Sequence, residues 1–163
     1  MKTNPYKTTI GAAFLAGFVG LSYQALAKER SDKCRPVEGM QGNVNTCIYF
    51  EPHYKSPVAL QFDSPKTPKG TPFMLYINDE LVNLPSDRSY VGSNGRVLLD
   101  AEAKELLLGE SKKEAAGRHF MNGIVLVTSG DHLRFAVDLD KDGKTEKGEP
   151  FSSFTIKYEV NDR

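Results

Sequence analysis

The residues best equipped for chemistry crowd into one stretch. Residues 138–149 read DLDKDGKTEKGE. Counting from Asp138, carboxylates stand at positions 1, 3 and 5 (Asp138, Asp140, Asp142), Gly143 at 6, Glu146 at 9 and Glu149 at 12. A hard cation such as calcium takes about six to eight oxygens in flexible geometry, and alternate residues of a tight loop aim theirs at one centre. Gly143 suits the sharp turn such a loop needs. Lys144 at position 7 offers its main-chain carbonyl, Glu146 can act through a water, and Glu149 can bind with both oxygens. Five carboxylates held this close repel one another unless a cation sits among them. Lys141, Lys144 and Lys147 occupy positions whose side chains point outward, so they moderate the charge without competing for the centre. The expected ligand set is therefore Asp138, Asp140, Asp142, Lys144, Glu146 and Glu149, with Ca2+ as the ion. The competing reading is a solvated Asp/Gly hairpin that holds no metal.

The flanks are not helical. LRFAV before the loop and FSSFTIKYEV after it have strand composition. Pro150 disfavours helical geometry at Glu149. Position 8 holds Thr145, where an apolar residue would be needed to pair with a second such unit. The segment resembles the strand-flanked, EF-hand-like calcium loops of secreted bacterial β-sandwich domains. Those often end in Gly-Glu-Pro, as Gly148-Glu149-Pro150 does here. The resemblance covers the loop and its immediate flanks only. It implies a structural ion fixing the crossing between two strands. Calcium is plentiful outside the cytoplasm, so an affinity of order 10⁻⁴–10⁻³ M would suffice there. A calcium sensor needs a pair of helices that opens, and none is expected.

Elsewhere the signals for catalysis are thin. His53, His119 and His132 form no metalloprotease or zinc spacing. Ser129-Gly130-Asp131-His132 hints at a hydrolase, but neighbours on a strand point to opposite faces and no Gly-x-Ser-x-Gly elbow exists. Gly92 to Gly95 reads as a turn, since no Lys-Ser/Thr follows it. Asp79 and Glu80 read as an exposed turn. No enzymatic activity is expected, and no catalytic residue is assigned.

The elements that must position the acidic loop are short strands. TCIYF (46–50), VALQF (58–62, alternating as a half-buried strand), FMLYI (73–77), GIVLVTS (123–129), LRFAV (133–137) and the run 151–160 are β-like. Turn chemistry separates them at Asp63–Thr71, Asn78-Asp79-Glu80, Pro85–Asp87 and Ser93-Asn94-Gly95. One short helix is expected over AEAKELLL, capped by Asp100 and closed by Gly109, with Ala103, Leu106 and Leu107 on its buried face. Six to eight strands are expected. The predicted fold is mainly β, an antiparallel β-sandwich or small barrel with one short helix.

The start of the chain sets the compartment. Lys2 and Lys7 precede an uncharged apolar run, Ile10 to Leu21, and Ala25-Leu26-Ala27 offers small residues for cleavage. Residues 1–27 thus read as a signal peptide, and 28–163 as a single secreted β-rich domain. The apolar run is short of the roughly 20 residues that span a bilayer, so no stable membrane insertion is expected after cleavage. The whole sequence balances 21 basic against 21 acidic residues, and the leader carries lysines but no acids. Residues 28–163 are therefore slightly acidic, which argues against nucleic acid as a partner. In an oxidising compartment Cys34 and Cys47 are expected to form a disulfide, adding roughly 3 kcal/mol in the chain-entropy model.

The expected protein is an exported module, periplasmic or secreted, with calcium as a structural ion. It would act through a protein or envelope partner. The alternatives are an inhibitor or immunity-type protein for an envelope hydrolase or toxin, with the loop Asp63–Thr71 entering a cleft, and a glycan-active enzyme. Phe50, Tyr54 and Tyr76 are candidates for a contact surface, although packing explains most aromatics.

Overall fold

The computed structural model describes residues 34–52, 56–107 and 118–159. The expected signal peptide, His53, Tyr54 and Gly109 lie outside these residues. Eleven strands occur among the described residues, in two sheets. The first contains β1 (Cys34–Pro36), β3 (Asn45–Phe50), β4 (Pro57–Asp63), β7 (Arg96–Ala103), β8 (Phe120–Met121) and β9 (Ile124–Val127), in the order β1-β3-β4-β7-β9-β8. The second contains β2 (Gln41–Gly42), β5 (Phe73–Ile77), β6 (Glu80–Leu81), β10 (His132–Val137) and β11 (Phe151–Thr155), in the order β2-β11-β10-β5-β6. The protein is mainly β, with its inward-facing residues forming one apolar core between the sheets.

Alternation places that core. On β5 the buried residues are Phe73, Leu75 and Ile77; on β10 they include Leu133, Phe135 and Val137. Phe62 of β4 stacks on Phe135 of β10 with ring centroids 4.2 Å apart, so the two sheets meet face to face at this pair. Phe73 packs beside Phe135 at 5.0 Å. Burying one such ring contributes about 1.5–3 kcal/mol.

The turns follow their residues. Asn78 and Asp79 both adopt positive φ (52° and 65°) between β5 and β6, the geometry of a tight hairpin that Asn and Asp tolerate. Asn94 and Gly95 do the same before β7.

Four expectations need correction. Ala101–Ala103 belongs to strand β7 rather than to a helix, and helix α1 is limited to Lys104–Leu107. Asp100 pairs with Ala59 inside the sheet, and the helix begins only at Lys104. The helix-forming tendency of Ala and Glu there is overridden by pairing with β9 and by burial of Ala101 and Ala103. Second, β7 and β9 run parallel, the one parallel pair among otherwise antiparallel neighbours of the described residues. Such a pair needs a connection of about a dozen residues or more, and positions 104–123 separate the two strands in the sequence. Third, the last strand ends at Thr155, well short of Val160. Fourth, VALQF is not half-buried, because Gln61 is covered too: the Tyr49 hydroxyl donates to Gln61 Oε1 at 2.7 Å, and Gln61 Nε2 donates to Asp63 Oδ2 at 2.8 Å.

Cys34 and Cys47 form a disulfide, tying edge strand β1 to β3 with Cα atoms 5.5 Å apart. The bond points to a non-cytoplasmic location. No helix among the described residues is long and apolar enough to cross a membrane.

Candidate metal centre

The acidic loop joins β10 to β11 in the second sheet. Its entry is anchored by main-chain bonds: Val137 N–H donates to the Pro150 carbonyl and Asp138 N–H to the Pro72 carbonyl, both at 2.9 Å. Asp138 therefore comes directly after the buried Val137 and is itself only 2 % exposed. Its exit is anchored by residues 42–44. Asn43 and Val44 N–H groups donate to the Phe151 carbonyl, and Phe151 N–H donates to Asn43 Oδ1 at 3.0 Å. Gly42 permits this approach, since a Cβ there would overlap the Phe151 carbonyl.

Backbone N–H groups orient the carboxylates. Asp138 Oδ1 accepts from Asp142 N–H at 3.2 Å, and Oδ2 accepts from Gly143 N–H at 2.9 Å. Asp140 Oδ1 accepts from Asp142 N–H at 3.2 Å. Glu149 reaches back across the loop, where Oε1 accepts from Leu139 N–H at 2.7 Å and Oε2 from Glu146 N–H at 2.8 Å. Gly143 has φ of +79°, the turn expected of position 6, and Lys141 also adopts positive φ at 62°. Asp138, Asp140 and Glu149 each present a carboxylate oxygen within 4.8 Å of the others, a cluster that could hold a metal ion.

Asp142 N–H pulls the Asp140 proton affinity down. Desolvation, the hydrogen bond with Asp138 and the charges of Asp142 and Glu149 together outweigh it, holding the Asp140 carboxyl above its ordinary range. No Lys or Arg forms an ion pair with these three acids among the described residues. Lys141, Lys144 and Lys147 are all exposed.

Not every expected ligand joins the cluster. Asp142 turns its Oδ1 to the N–H of Lys144 at 2.8 Å, and the Glu146 carbonyl accepts from Glu149 N–H at 3.3 Å. Three of the six expected residues, Asp138, Asp140 and Glu149, are thus gathered into one cluster, and Asp142, Lys144 and Glu146 stand on the same loop.

Other expected groups find structural partners. Ser129 Oγ accepts from Tyr158 N–H at 3.1 Å and does not meet His132. His132 Nε2 instead lies 2.8 Å from Ser153 Oγ, on the outward face of the second sheet, a cross-strand pairing that sequence proximity could not reveal. His119 sits between Lys104 Nζ at 3.3 Å and Glu80 Oε2 at 3.5 Å. The loop Asp63–Thr71 is pinned from within: Ser64, Thr67 and Thr71 are buried, and Ser64 Oγ and Thr67 Oγ1 are 2.6 Å apart.

No protein-family model matches the chain, no curated protein matches its sequence, and no solved structure matches its fold.

Proposed function

We propose that the chain is an exported, calcium-stabilised binding module, periplasmic or secreted, that works through a protein or envelope partner rather than by catalysis. One observation carries the calcium half of this reading. Asp138 is a buried carboxylate facing Asp140 and Glu149, and no cationic side chain pairs with it among the described residues. Holding a buried carboxylate against an exposed and a half-buried one is costly unless a cation offsets the charge. An all-oxygen donor set favours calcium or magnesium over zinc. Asp142, the Lys144 carbonyl and Glu146 stand on the same loop to complete a calcium shell, for which six or more oxygens are needed. The ion would tie β10 to β11 and stabilise the fold by mass action, by about 1.4 kcal/mol at ten times its dissociation constant. The localisation half rests on the leader-like sequence 1–27 and on the disulfide.

Thermal melts decide the calcium reading. Calcium is expected to raise the melting temperature by several degrees over chelator, with magnesium weaker and the Asp138→Asn, Asp140→Asn double variant unresponsive. Identical melts of the native protein with calcium and with chelator would refute it. A reporter fused to residues 1–30 that stays in the cytoplasm would refute export.

A further inference from the structure

The two sheets do not close evenly. On one side of the sandwich a groove of roughly 500 Å³ opens between β1 and the end of β11. Its apolar lining includes Val37, Ile48, Phe50 and Ile156, with Arg35 and Lys157 at the rim. The two walls are edges of different character. At β1 the Val37 N–H donates to the Thr46 carbonyl, so alternation turns the main-chain groups of Pro36 outward. Pro36 has no N–H to offer, which blunts that edge against further pairing.

The β11 edge has no such protection. β2 covers it only at Ser152 and Ser153, and no described strand pairs with it beyond. Ile156 N–H donates to Asp131 and its carbonyl accepts from Gly130, while Tyr158 N–H donates to Ser129. Ile156 therefore spends both its main-chain groups, and Tyr158 its N–H, on the β10 side. Thr155 and Lys157 must turn theirs the other way, into the groove, and both residues are exposed. Strand groups with no strand partner among the described residues, set beside an apolar trough, suit strand addition by a peptide.

Charge selects the occupant. Arg35, seated 5.4 Å over the Phe50 ring, and Lys157 face the groove against a single acid, Glu38. The segment 28–33 of this chain reads KERSDK and is itself net basic, so it is a poor complement. We propose that this groove binds an extended peptide of a partner protein, apolar residues alternating with acidic ones, added as a strand to the β11 edge at Thr155 and Lys157. The proposal rests on the binding-module half of the function above and does not require the metal.

The probe is a labelled octapeptide alternating valine with glutamate, compared with its valine–lysine counterpart by fluorescence anisotropy. Titration is done on purified secreted protein, in calcium and in chelator. Saturable binding of the acidic peptide only is expected. Methylating the peptide nitrogens that face β11 should weaken binding about tenfold, whereas methylating the alternate ones should not. Thr155→Pro, which removes an N–H the sheet does not use, should lose a similar factor. The Arg35→Glu, Lys157→Glu double variant should transfer the preference to the basic peptide, with its melting temperature preserved. Equal binding of both peptides, or none in either buffer, overturns the proposal, while a calcium-dependent melting shift stands or falls separately. Slow hydrogen exchange at Thr155 and Lys157 in the free protein also overturns it, because the edge is then already covered by this chain or a second copy.

Discussion

Thr46 of β3 donates its hydroxyl proton to Ser152 of β11 across 2.9 Å, joining the two sheets by a hydrogen bond between buried side chains. Thr46 adjoins the disulfide residue Cys47, and Ser152 lies shortly after the acidic loop. Thr46→Val takes from the buried Ser152 hydroxyl the donor it accepts from, whereas Ser152→Ala leaves the Thr46 hydroxyl the Val44 carbonyl, 3.4 Å away, to donate to. Thr46→Val is expected to cost about 1–3 kcal/mol, and Ser152→Ala less. The double variant should cost clearly less than their sum, as measured by a double-mutant cycle in urea.

Asp140 offers a test with opposite signs. Its carboxyl is held above the usual range, so the folded protein binds that proton more tightly than the unfolded chain. The associated stability is present at pH below the ordinary carboxylate value and is lost as pH rises through the raised folded value. At neutral pH the ionised Asp140 therefore opposes folding when no cation is bound. Asp140→Asn is expected to melt higher than the native protein in chelator and lower than it in calcium. Calorimetry in both buffers checks the reversal.

Tyr158 predicts an alkaline effect. Burial first, then the hydrogen bond to Glu105 and the charge of Glu105, push its phenol well above the ordinary value of 10.0. Its O–H is shared between Glu105 Oε2 at 3.0 Å and the Val127 carbonyl at 2.8 Å. The unfolded chain ionises this phenol near its ordinary value and the folded one does not. Stability is thus complete below about pH 10 and falls above it. Tyr158→Phe should lose the two hydrogen bonds at neutral pH and show a shallower alkaline decline, read from urea midpoints between about pH 8 and pH 11.

Gly42 and Gly39 make a matched pair. Both have positive φ, +106° and +66°, but a Cβ at Gly42 would strike the Phe151 carbonyl whereas one at Gly39 would meet nothing within 4 Å. Gly39→Ala should cost about 1 kcal/mol, from backbone strain alone. Gly42→Ala should cost more, about 2–4 kcal/mol, because the exit of the acidic loop must shift as well. It should also weaken any calcium-dependent rise in melting temperature.

How legible these features were depended on how local they are. The ligand spacing of residues 138–149 could be read because one turn of chain brings Asp138, Asp140 and Glu149 together. Asp142 could not be foreseen to turn toward the Lys144 N–H, since that choice depends on φ and ψ within the loop. The strands carrying Phe73 to Ile77 and Leu133 to Val137 were legible from alternation. Ala101 to Ala103 were not, because the pairing with Val125 to Val127 that makes them a strand comes from a distant segment. The same holds for the groove. Nothing near Thr155 in sequence reveals that β2 stops at Gln41 and leaves the next main-chain groups without a strand.

The pairing of β2 with β11 bears on the order of assembly. Gln41 and Gly42 must wait for Ser153 and Ser152, more than a hundred positions later in the chain. Contacts of such high sequence separation form slowly, because the entropy of closing the loop is lost before they reward it. The bridge from Cys34 to Cys47 spans a sequence separation of 13, so it can close while the rest of the molecule is still a coil. The stapled hairpin then acts as a preset template, and β11 must find it from the acidic loop side. A cation captured there would shorten the last search, so calcium should speed the final folding phase more than it slows unfolding.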